Sequence, residues 1–594
     1  MVKLTQAIGA QRHDGGTLLG EPPDLLNFLD PTAPTRMADS LAGLLAGLGV
    51  RTAFGVVGGG IAPITDAINQ SPIKVVHTRH ESGAAFAAVE ASLASGRPAV
   101  VFATTGPGIT NALTGLFVAR REGARVIFLS GTTPAHKRER WVLQESGPHA
   151  LLGGLYTSGP LFHYATSIEH EDQLDVTVCR LVQGMRRSQG FVAHIAVPTN
   201  LQSTELTRRP RMPEADELDP DRIVDPRAVA KCVDRLATAR TMLWVGYGAR
   251  NSSGLVRELA ERLQAPVMST PRAKGVFPED HPLYVGVTGL GGHEGPVRAV
   301  AEHRPEHIVV LGSRLGEFSS GWATNLIPTK SFIHVDIDPE IPGTAYPEVP
   351  TLGIQAEIDT FLGALLEQLP EPAVRAATEV RSLAKPIVPT AKTLGPVRPP
   401  VLMGAIQRKI VDESEAIIVA EAGNSFAWTN HYLRIPRAGR YRANMGWGSM
   451  GHGATGVLGA ALHHADKAVA IVGDGAMMMN CEISTAVQYK LPVVWIVLND
   501  SQYGMVEHGM RSAGYEPVET AIPRTDFVEF ARSMGADGVR VESEEALEDA
   551  LQQAIDAEGP FVVDVVIDPD VGAPVGSRLN NLREEGVDNG GADE

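Results

Sequence analysis

The sequence predicts an α/β protein of three domains, each a doubly wound parallel sheet covered by helices. Short apolar runs alternate with helix-like segments in three separate stretches of the chain, which is the pattern of such sheets. The chain has 594 residues, 43% of them apolar, which is too long for one hydrophobic core. We therefore expect three domains of about 150 to 190 residues each.

The first domain is expected over residues 36–204, after an irregular extension at 1–35. Glycine, proline and aspartate are scattered through that extension without any periodicity. In the domain itself, predicted helices at 41–48, 64–69 and 83–95 alternate with predicted strands at 53–57, 74–78 and 99–103. Strict alternation of helix and strand favours parallel pairing of the strands.

A polar stretch at 205–225 leads into a central domain expected over 226–368, with strands at 242–245, 307–311 and 332–336. Seven prolines between 369 and 400 predict a linker. The third domain is expected over 401–575. The polar segment at 576–594 is expected to be a flexible tail.

Composition excludes several classes of protein. The net charge of −17 argues against nucleic-acid binding, because a negative surface repels phosphate backbones. Three scattered cysteines, Cys179, Cys232 and Cys481, predict neither disulfides nor a zinc site and suit a cytoplasmic protein. No apolar run reaches about 18 residues, and no signal-peptide pattern is visible at the N-terminus, so we expect no membrane association.

The most informative motif is Gly473-Asp474-Gly475, which follows an apolar run and precedes Asp500 by 26 positions. One helix and one buried strand fit between the two acids, so both are expected at the carboxyl ends of strands, where open parallel sheets bind ligands. Glycine allows close backbone approach, and carboxylates are hard ligands for Mg²⁺. A surface turn explains the tripeptide alone equally well, but the pair of motifs indicates a magnesium diphosphate site.

These motifs resemble those of the thiamine diphosphate enzymes in the acetolactate synthase and pyruvate decarboxylase group. Their signature is Gly-Asp-Gly followed by Asn-Asn or Asn-Asp, here Asn499-Asp500. That group also needs a distant glutamate, which matches Glu81, and a following loop that matches residues 104–111. The resemblance covers about residues 36–570 and implies pyrimidine-binding, central and diphosphate-binding domains in that order.

The resemblance implies a role for each matching residue. Glu81 is the catalytic carboxyl group that hydrogen-bonds the aminopyrimidine ring of the cofactor. The side chains of Asp474 and Asp500 and the carbonyl of Gln502 are the Mg²⁺ ligands. The remaining residues implied to bind the cofactor are Gly423, Asn424 and Ser425 at the diphosphate, Gly448, Ser449 and Met450 at the rings, and Gly475, Ala476, Tyr503, Gly504 and Met505 around the metal.

The chain departs from the family pattern in two places near the metal. Asp500 stands where asparagine is commoner, and the loop before Glu482 is one residue shorter than usual. Alternative readings also exist for single positions. Met450 could be core filler, and Asn424 with Ser425 could be an ordinary helix cap.

The reaction type depends on the segment Val142-Leu-Gln144-Glu145. It resembles the Phe-Gln-Glu of acetolactate synthases, whereas the decarboxylases of the group carry a His-His pair. Gln144 is therefore a second catalytic candidate, one that favours carboligation of a 2-oxo acid donor with a carbonyl acceptor. The alternatives are a surface helix starting at Gln144, a non-oxidative decarboxylase and a flavin-dependent oxidase. A non-catalytic relative is disfavoured because the three key acids are retained.

Several features stay open at this stage. The synthases bind FAD in the central domain, and residues 312–316 and 334–339 are partial matches to that site, although a glycine-rich turn after a strand is common in α/β sheets. His163, His452 and His508 are candidate substrate contacts, each more simply explained as a structural histidine. In this family one site uses domains from two subunits, which implies a homodimer at least and more often a homotetramer.

Overall fold

Three parallel six-stranded sheets form the framework of the chain. The computed structural model describes residues 35–208, 210, 223–370, 387–464 and 466–576. Within those residues every strand pairing in the three sheets is parallel. The predicted α/β class is confirmed. The predicted extension, most of the tail and half of the predicted linker lie outside the described residues.

The first sheet has the strand order β2-β1-β3-β4-β6-β5. Its strands are β1 (Thr52–Gly55), β2 (Lys74–His77), β3 (Ala99–Ala103), β4 (Arg125–Thr132), β5 (Tyr164–Ser167) and β6 (Phe191–Pro198). The helices between them are α1 (Met37–Gly47), α2 (Ala62–Asn69), α3 (Glu81–Ser95), α4 (Pro107–Glu122) and α5 (Gln173–Met185).

The central sheet has the order β12-β11-β10-β7-β8-β9. Its strands are β7 (Thr241–Val245), β8 (Val267–Ser269), β9 (Tyr284–Val287), β10 (His307–Leu311), β11 (Ser331–Asp336) and β12 (Thr351–Gln355). Its helices are α6 (Pro226–Leu236), α7 (Ser253–Leu263), α8 (Gly295–His303), α9 (Glu317–Ser320) and α10 (Ile358–Gln368).

The third sheet repeats the order of the first, as β14-β13-β15-β16-β18-β17. Its strands are β13 (Ile417–Ala420), β14 (Tyr441–Ala443), β15 (Ala468–Gly473), β16 (Val493–Asn499), β17 (Asp537–Val541) and β18 (Phe561–Val566). Its helices are α11 (Pro399–Ile406), α12 (Asn424–Tyr432), α13 (His452–Leu462), α14 (Asp474–Met477), α15 (Ile483–Tyr489), α16 (Gly504–Ser512), α17 (Phe527–Ser533) and α18 (Leu547–Asp556).

The first and third domains share one hydrophobic core, because α3 packs directly against α13. Small residues make this contact possible: a Cβ on Gly459 would lie 1.9 Å from the carbonyl oxygen of Ala87. Helix α3 begins with Glu81, and α13 begins two residues after Met450. The packing of these two helices therefore holds two predicted site segments in a defined relation.

A buried ion pair at the same interface links all three domains. The Arg442 side chain donates from Nε to Glu90 Oε2 at 3.0 Å and from Nη1 to the Tyr247 hydroxyl at 2.8 Å. His452 Nε2 lies 2.8 Å from the second oxygen of Glu90. Burial alone would raise the pKa of Glu90, but Arg442 and His452 outweigh it and hold that pKa at about 2.

Two observed element boundaries differ from the predicted ones for local reasons. Helix α1 begins at Met37 rather than near 41, because the Asp39 carboxylate in its first turn accepts from the backbone N–H of Arg36 at 3.2 Å and from the Arg36 guanidinium. Helix α11 begins at Pro399, inside the segment predicted as a linker. Proline is well suited to the first helical turn, where its missing N–H costs no hydrogen bond.

Candidate active site

Three neighbouring strands of the third sheet end at one edge, and a motif residue follows each of them. Glu421 follows β13, Asp474 follows β15 and Asp500 follows β16. Strand β15 pairs with both of the others, so the three ends are adjacent. The sheet thus brings together three motifs that lie far apart in the chain.

Both oxygens of the Asp474 carboxylate are oriented by backbone N–H groups. Gly475 N donates to Oδ1 and Ser501 N donates to Oδ2, each at 2.7 Å. Gln502 Nε2 lies 3.5 Å from Asp500 Oδ2. The two acids and Gln502 are therefore neighbours in the folded chain.

The two carboxylates are electrostatically strained. Burial and the neighbouring charge of Asp500 raise the pKa of Asp474 to about 7. Burial raises the pKa of Asp500 to about 6. A divalent cation between such groups supplies the missing positive charge, so this donor set fits Mg²⁺.

Asn424 and Gly504 lie beside this acid pair, each as the first residue of a helix. A Cβ on Gly504 would lie 2.7 Å from Asp500 Oδ2 and 3.2 Å from Asn424 Nδ2. The Oδ1 atom of Asn424 is shielded from solvent and has no hydrogen-bond partner among the described residues. Two helix N-termini and the Nδ2 amide group of Asn424 are hydrogen-bond donors of the kind that a diphosphate group would need.

Ser425 departs from its predicted role. Its hydroxyl was expected to donate to a phosphate oxygen, but it donates to the carbonyl of Glu421 at 3.0 Å. The side chain is buried within the helix that it helps to start. Only its backbone N–H is left as a diphosphate donor.

Gly475 lies close to both Met450 and Tyr503. A Cβ on Gly475 would lie 2.7 Å from Tyr503 Cε1 and 3.8 Å from Met450 Sδ. Met450 and Tyr503 are each 40% exposed, and the hydroxyl of Ser449 is shielded without a partner among the described residues. Gly448 has φ of 69°, which favours glycine in this loop.

Three other predicted cofactor-binding residues lie in different surroundings; they are Gly423, Ala476 and Met505. Gly423 has φ of 102° and directly precedes α12, so its conformation opens the turn before that helix. Ala476 lies in the buried turn α14. Met505, predicted to contact the cofactor, is partly buried and packs against the hydrophobic core of the third domain.

The first domain contributes a separate cluster around the loop at 104–108. Glu81 is 8% exposed, and its Oε2 accepts from Asn111 Nδ2 at 3.0 Å. Gly108 lies against Glu81 Oε1, and Gly106 lies against the side chain of Gln144. Glu81 and Gln144 therefore flank the same loop.

Gln144 lies in a segment of unusual backbone conformation. Glu139, Trp141 and Gln144 all have φ between 57° and 60°, a region that non-glycine residues rarely adopt. Thr105 Oγ1 donates to Gln144 Oε1 at 3.3 Å. Clustered strain of this kind is typical of functional loops.

Within one chain the two halves of the predicted site, around Glu81 and around Asp474, share no direct polar contact among the described residues. No hydrogen bond or ion pair among the described residues joins Glu81 or Gln144 to Asp474 or Asp500. The side chains of Trp141 and Leu143 next to Gln144 are 96% and 87% exposed. The half that contains Gln144 thus presents apolar surface that the described residues do not cover.

Sequence reasoning missed Ser501, which orients Asp474 through its N–H and has φ of 59°. Its position between Asp500 and Gln502 was the only available signal. Sequence reasoning also gave no role to Glu421, the first residue of the predicted diphosphate segment at 421–425, which is a buried carboxylate whose Oε2 accepts from Ala454 N at 3.0 Å. Burial raises the pKa of Glu421.

The three candidate histidines all have structural partners. The His163 ring accepts from Val192 N at 3.0 Å, and burial together with two nearby arginines lowers its pKa to about 3. His452 belongs to the Glu90 network described above. His508 Nε2 lies 3.1 Å from the carbonyl oxygen of Pro569.

The glycine-rich turns of the central domain pack against each other. A Cβ on Gly246 would lie 2.2 Å from the carbonyl oxygen of Gly312, and Gly248 N donates to the same oxygen at 2.9 Å. This contact between β7 and β10 requires glycines whether or not a nucleotide binds. Arg314 beside Gly312 is exposed.

Three family models match the chain in order. They are the N-terminal thiamine pyrophosphate binding domain over residues 35–151, the central domain over 229–365 and the C-terminal thiamine pyrophosphate binding domain over 421–565. The chain belongs to the thiamine pyrophosphate enzymes. In this thiamine pyrophosphate enzyme, the N-terminal match contains Glu81 and Gln144, and the C-terminal match contains both candidate metal-binding acids.

Curated relatives of this thiamine pyrophosphate enzyme match it nearly end to end. The acetolactate synthase isozyme 1 large subunit of Escherichia coli is 29% identical over 89% of this chain and 94% of its own length. The acetolactate synthase large subunit of Parasynechococcus marenigrum is 28% identical over 90% of this chain and 88% of its own. An acetolactate synthase of Arthrospira platensis is 27% identical over 88% and 92%.

Among the described residues, no three or more His, Cys, Asp or Glu side chains are grouped so that they could hold a metal ion. A site made of two carboxylates and one backbone carbonyl would not form such a group. No described helix combines the length and apolar character needed to cross a bilayer.

Proposed function

We propose that the protein is a magnesium- and thiamine diphosphate-dependent carboligase. It would decarboxylate a 2-oxo acid such as pyruvate and add the acyl unit to an acceptor carbonyl. The observation that carries the cofactor part is the meeting of Asp474, Asp500 and the Nδ2 amide group of Asn424 at one sheet edge. The acetolactate synthase names of the relatives support the reaction type.

Asp474 and Asp500 would hold Mg²⁺, with the carbonyl of Gln502 as a third ligand. The N–H groups that bind both oxygens of Asp474 keep its carboxylate oriented before the metal arrives. Asn424 and the N-termini of α12 and α16 would bind the diphosphate oxygens. Asp500 in place of asparagine adds one negative charge, which favours tighter Mg²⁺ binding.

When bound, thiamine diphosphate supplies the electron sink that makes loss of CO₂ from a 2-oxo acid feasible. Glu81 would hold a proton against a ring nitrogen of the aminopyrimidine, and Asn111 orients the Glu81 carboxyl group. The carbonyl of Gly448 would accept from the amino group of the same ring. Met450, close to Gly475, would support the two rings.

Gln144 favours carboligation over simple decarboxylation. An enzyme that releases a free aldehyde must deliver a proton to the carbon that has lost CO₂. A carboxamide does not transfer protons near neutral pH, whereas an imidazole does. A glutamine at this position therefore suits a reaction in which a second carbonyl compound takes the place of the proton.

Two alternatives use the same cofactor. A non-oxidative decarboxylase would release an aldehyde, and a flavin-dependent oxidase would release an acid. FAD in the central domain is a second candidate cofactor, for the oxidase and for the carboligase alike, because the synthases that the chain resembles bind FAD there. We propose a homodimer at minimum, with a homotetramer and a cytoplasmic location following from the family resemblance and the few cysteines.

The test is to incubate the purified protein with thiamine diphosphate, Mg²⁺ and a panel of 2-oxo acids and aldehydes, then to identify products by mass. We expect 2-hydroxy ketones or 2-hydroxy-2-acyl acids that require both cofactors. Aldehyde alone would favour the decarboxylase, and acid with a yellow flavin spectrum would favour the oxidase.

The variant Glu81→Gln tests the proposed role of Glu81 independently of which product is formed. Glu81→Gln should bind thiamine diphosphate and Mg²⁺ but lose turnover by at least about 100-fold, because the amide cannot share its proton with the ring. Asn111→Ala, which removes only the partner of Glu81, should lose less. Unchanged turnover in Glu81→Gln would show that Glu81 does not act on the cofactor.

A further inference from the structure

Glu482 is a buried carboxylate beneath the turn that carries Glu81. It belongs to the third domain, yet its oxygens accept from the backbone N–H groups of Arg79 and His80 in the first domain at 3.0 to 3.1 Å. Thr485 Oγ1 also donates to it, at 2.5 Å. The residue is 0% exposed, so these contacts are shielded from water.

The two N–H groups immediately precede α3, whose first residue is Glu81. Backbone donors at a helix N-terminus lack partners within the helix, and the helix dipole makes that end favourable for negative charge. Such donors are usually capped by a nearby side chain. The His80 side chain caps α3 locally by accepting from Ser82 N. The Glu482 carboxylate adds a long-range contact from another domain to the two N–H groups just before the helix.

The fit between Glu482 and this helix is close. A Cβ on Gly83 would lie 2.6 Å from Glu482 Oε1, so only glycine leaves room for the carboxylate. The Arg79 side chain donates to Ser484 Oγ at 2.9 Å and to Gln488 Oε1 at 2.8 Å, which anchors α15 to the same turn. The contact is a docked interface rather than a single hydrogen bond.

Glu482 has no cationic partner among the described residues. The Arg79 guanidinium is directed to α15, and the other neighbours of Glu482 are N–H, hydroxyl and thiol donors. A buried charge held mainly by backbone donors restrains the backbone that it binds. The restrained backbone is that of the residues leading into Glu81.

The loop that delivers Glu482 is the one that is a residue shorter than usual. Asn480, which is buried, accepts from Glu482 N through its side-chain oxygen at 3.0 Å and turns the chain toward α15. The same loop begins at Asp474, a candidate metal ligand. One short segment of the third domain therefore runs from the metal edge to the turn before Glu81.

We propose that Glu482 is a positioning residue for Glu81. It does not touch Glu81 or the cofactor and acts through the backbone of Arg79 and His80. This inference rests on the proposed role of Glu81 in the thiamine-dependent reaction. A small displacement of a catalytic group costs turnover rather than cofactor affinity, which gives the proposal a distinct kinetic signature.

The test compares Glu482→Ala and Glu482→Gln in the full-length protein with Glu544→Ala and Glu544→Gln. Glu544 is a matched control, because this buried carboxylate also accepts backbone N–H groups, those of Lys392 and Arg398, away from the site. Amide hydrogen exchange is measured without cofactor. It is followed by melting temperature, affinity for thiamine diphosphate with Mg²⁺, kcat and KM.

In Glu482→Ala the amides of Arg79 and His80 should exchange faster, and kcat should fall by about 10- to 100-fold while cofactor affinity and KM change by less than about threefold. Glu482→Gln keeps one acceptor oxygen and should recover part of kcat. The Glu544 variants should show faster exchange only at Lys392 and Arg398, with kcat unchanged.

Faster exchange at Arg79 and His80 with wild-type kcat would overturn the proposal. Loss of cofactor affinity with unchanged kcat would overturn it as well. If Glu482→Ala does not fold, Glu482→Gln is judged by the same two criteria. The proposed function fails separately, by the absence of thiamine-dependent turnover in the wild-type protein.

Discussion

Asp500 is the residue at which this chain departs most clearly from the family pattern. Its carboxylate lies beside Gln502 and Gly504, and burial raises its pKa to about 6. Restoring asparagine removes one charge but keeps an oxygen ligand. We expect Asp500→Asn to retain turnover and to weaken Mg²⁺ binding by only about 10-fold, as measured by magnesium titration of activity and of cofactor binding.

Asp474→Asn makes the same substitution at the other candidate metal ligand, with a different expected result. Asp474 holds two backbone N–H groups with its two oxygens, so an amide in its place must turn an NH₂ group toward one of those donors. Cofactor binding that depends on Mg²⁺ should therefore be lost rather than weakened. Equal effects of the two substitutions would argue against distinct roles for the two acids.

At the scale of elements, the contact between α3 and α13 depends on having no side chain at Gly459. A Cβ there would lie 1.9 Å from the Ala87 carbonyl oxygen, in backbone that cannot yield cheaply. We expect Gly459→Ala to reduce the free energy of unfolding by at least about 2 kcal/mol and to lower the melting temperature.

Gly363 provides the control for this prediction. It lies within α10 and has nothing within 4 Å of its Cβ position. Gly363→Ala should therefore be neutral or stabilising by up to about 1 kcal/mol, since alanine is the better helix former. Similar melting temperatures for the two variants would mean that α3 and α13 can separate without cost.

The same interface should respond to pH through Glu90. Because the folded-state pKa of about 2 lies below the ordinary value of 4.5, Glu90 stabilises the fold above about pH 4.5, and this contribution is lost as the pH falls toward 2. Glu90→Gln should be less stable at neutral pH by about 3 to 5 kcal/mol, because it leaves Arg442 buried without its anion.

The measurement is chemical denaturation of the wild type and Glu90→Gln between pH 7 and about pH 3. The difference in unfolding free energy should shrink as the pH falls. Protonation of other carboxylates affects both proteins and cancels in the difference. A difference in unfolding free energy that stays constant over this pH range would show that the charge of Glu90 is not what stabilises the interface.

At the scale of the whole molecule, the two half-sites of one chain call for a second copy. The third-domain half exposes Met478, Met479 and Val506 at 51% to 53%, beside the half-exposed Met450 and Tyr503. The first-domain half exposes Trp141 and Leu143. Covering such clustered apolar surface is a common reason for oligomerisation.

Mixing two inactive variants tests the shared site. Glu81→Gln and Asp474→Asn damage different halves, so a mixed dimer contains one intact site and one doubly damaged site. Unfolding and refolding an equal mixture should recover about one quarter of wild-type activity. The separately refolded variants are the control, and no recovery in the mixture would place both halves of each site in one chain.

Much of the fold was predictable because each element carries its own pattern. The strands His307–Leu311 and Ala99–Ala103 match the predicted bounds, since both are continuous apolar runs between polar turns. The first turn of α1 was missed because its cap involves Arg36, which is not a usual capping residue. Boundaries set by individual side chains are less visible than the elements themselves.

Side-chain directions at the candidate site were less predictable. Ser425 and Met505 stand at motif positions. The Ser425 hydroxyl donates to the carbonyl of Glu421, and the partly buried Met505 side chain packs against the core. A motif aligns the backbone with a family; it does not say which way a side chain turns. Local hydrogen bonding and packing decide that.

The sequence by itself determined the α/β class, the cofactor family and the acids that are expected to act, because these depend on short motifs and local periodicity. Only the tertiary structure decided how those acids are held. Glu482 reaches Arg79 and His80 across two domains, and Arg442 joins Glu90 to Tyr247. Such contacts join residues hundreds of positions apart, and no local pattern records which of them will meet when three sheets pack together.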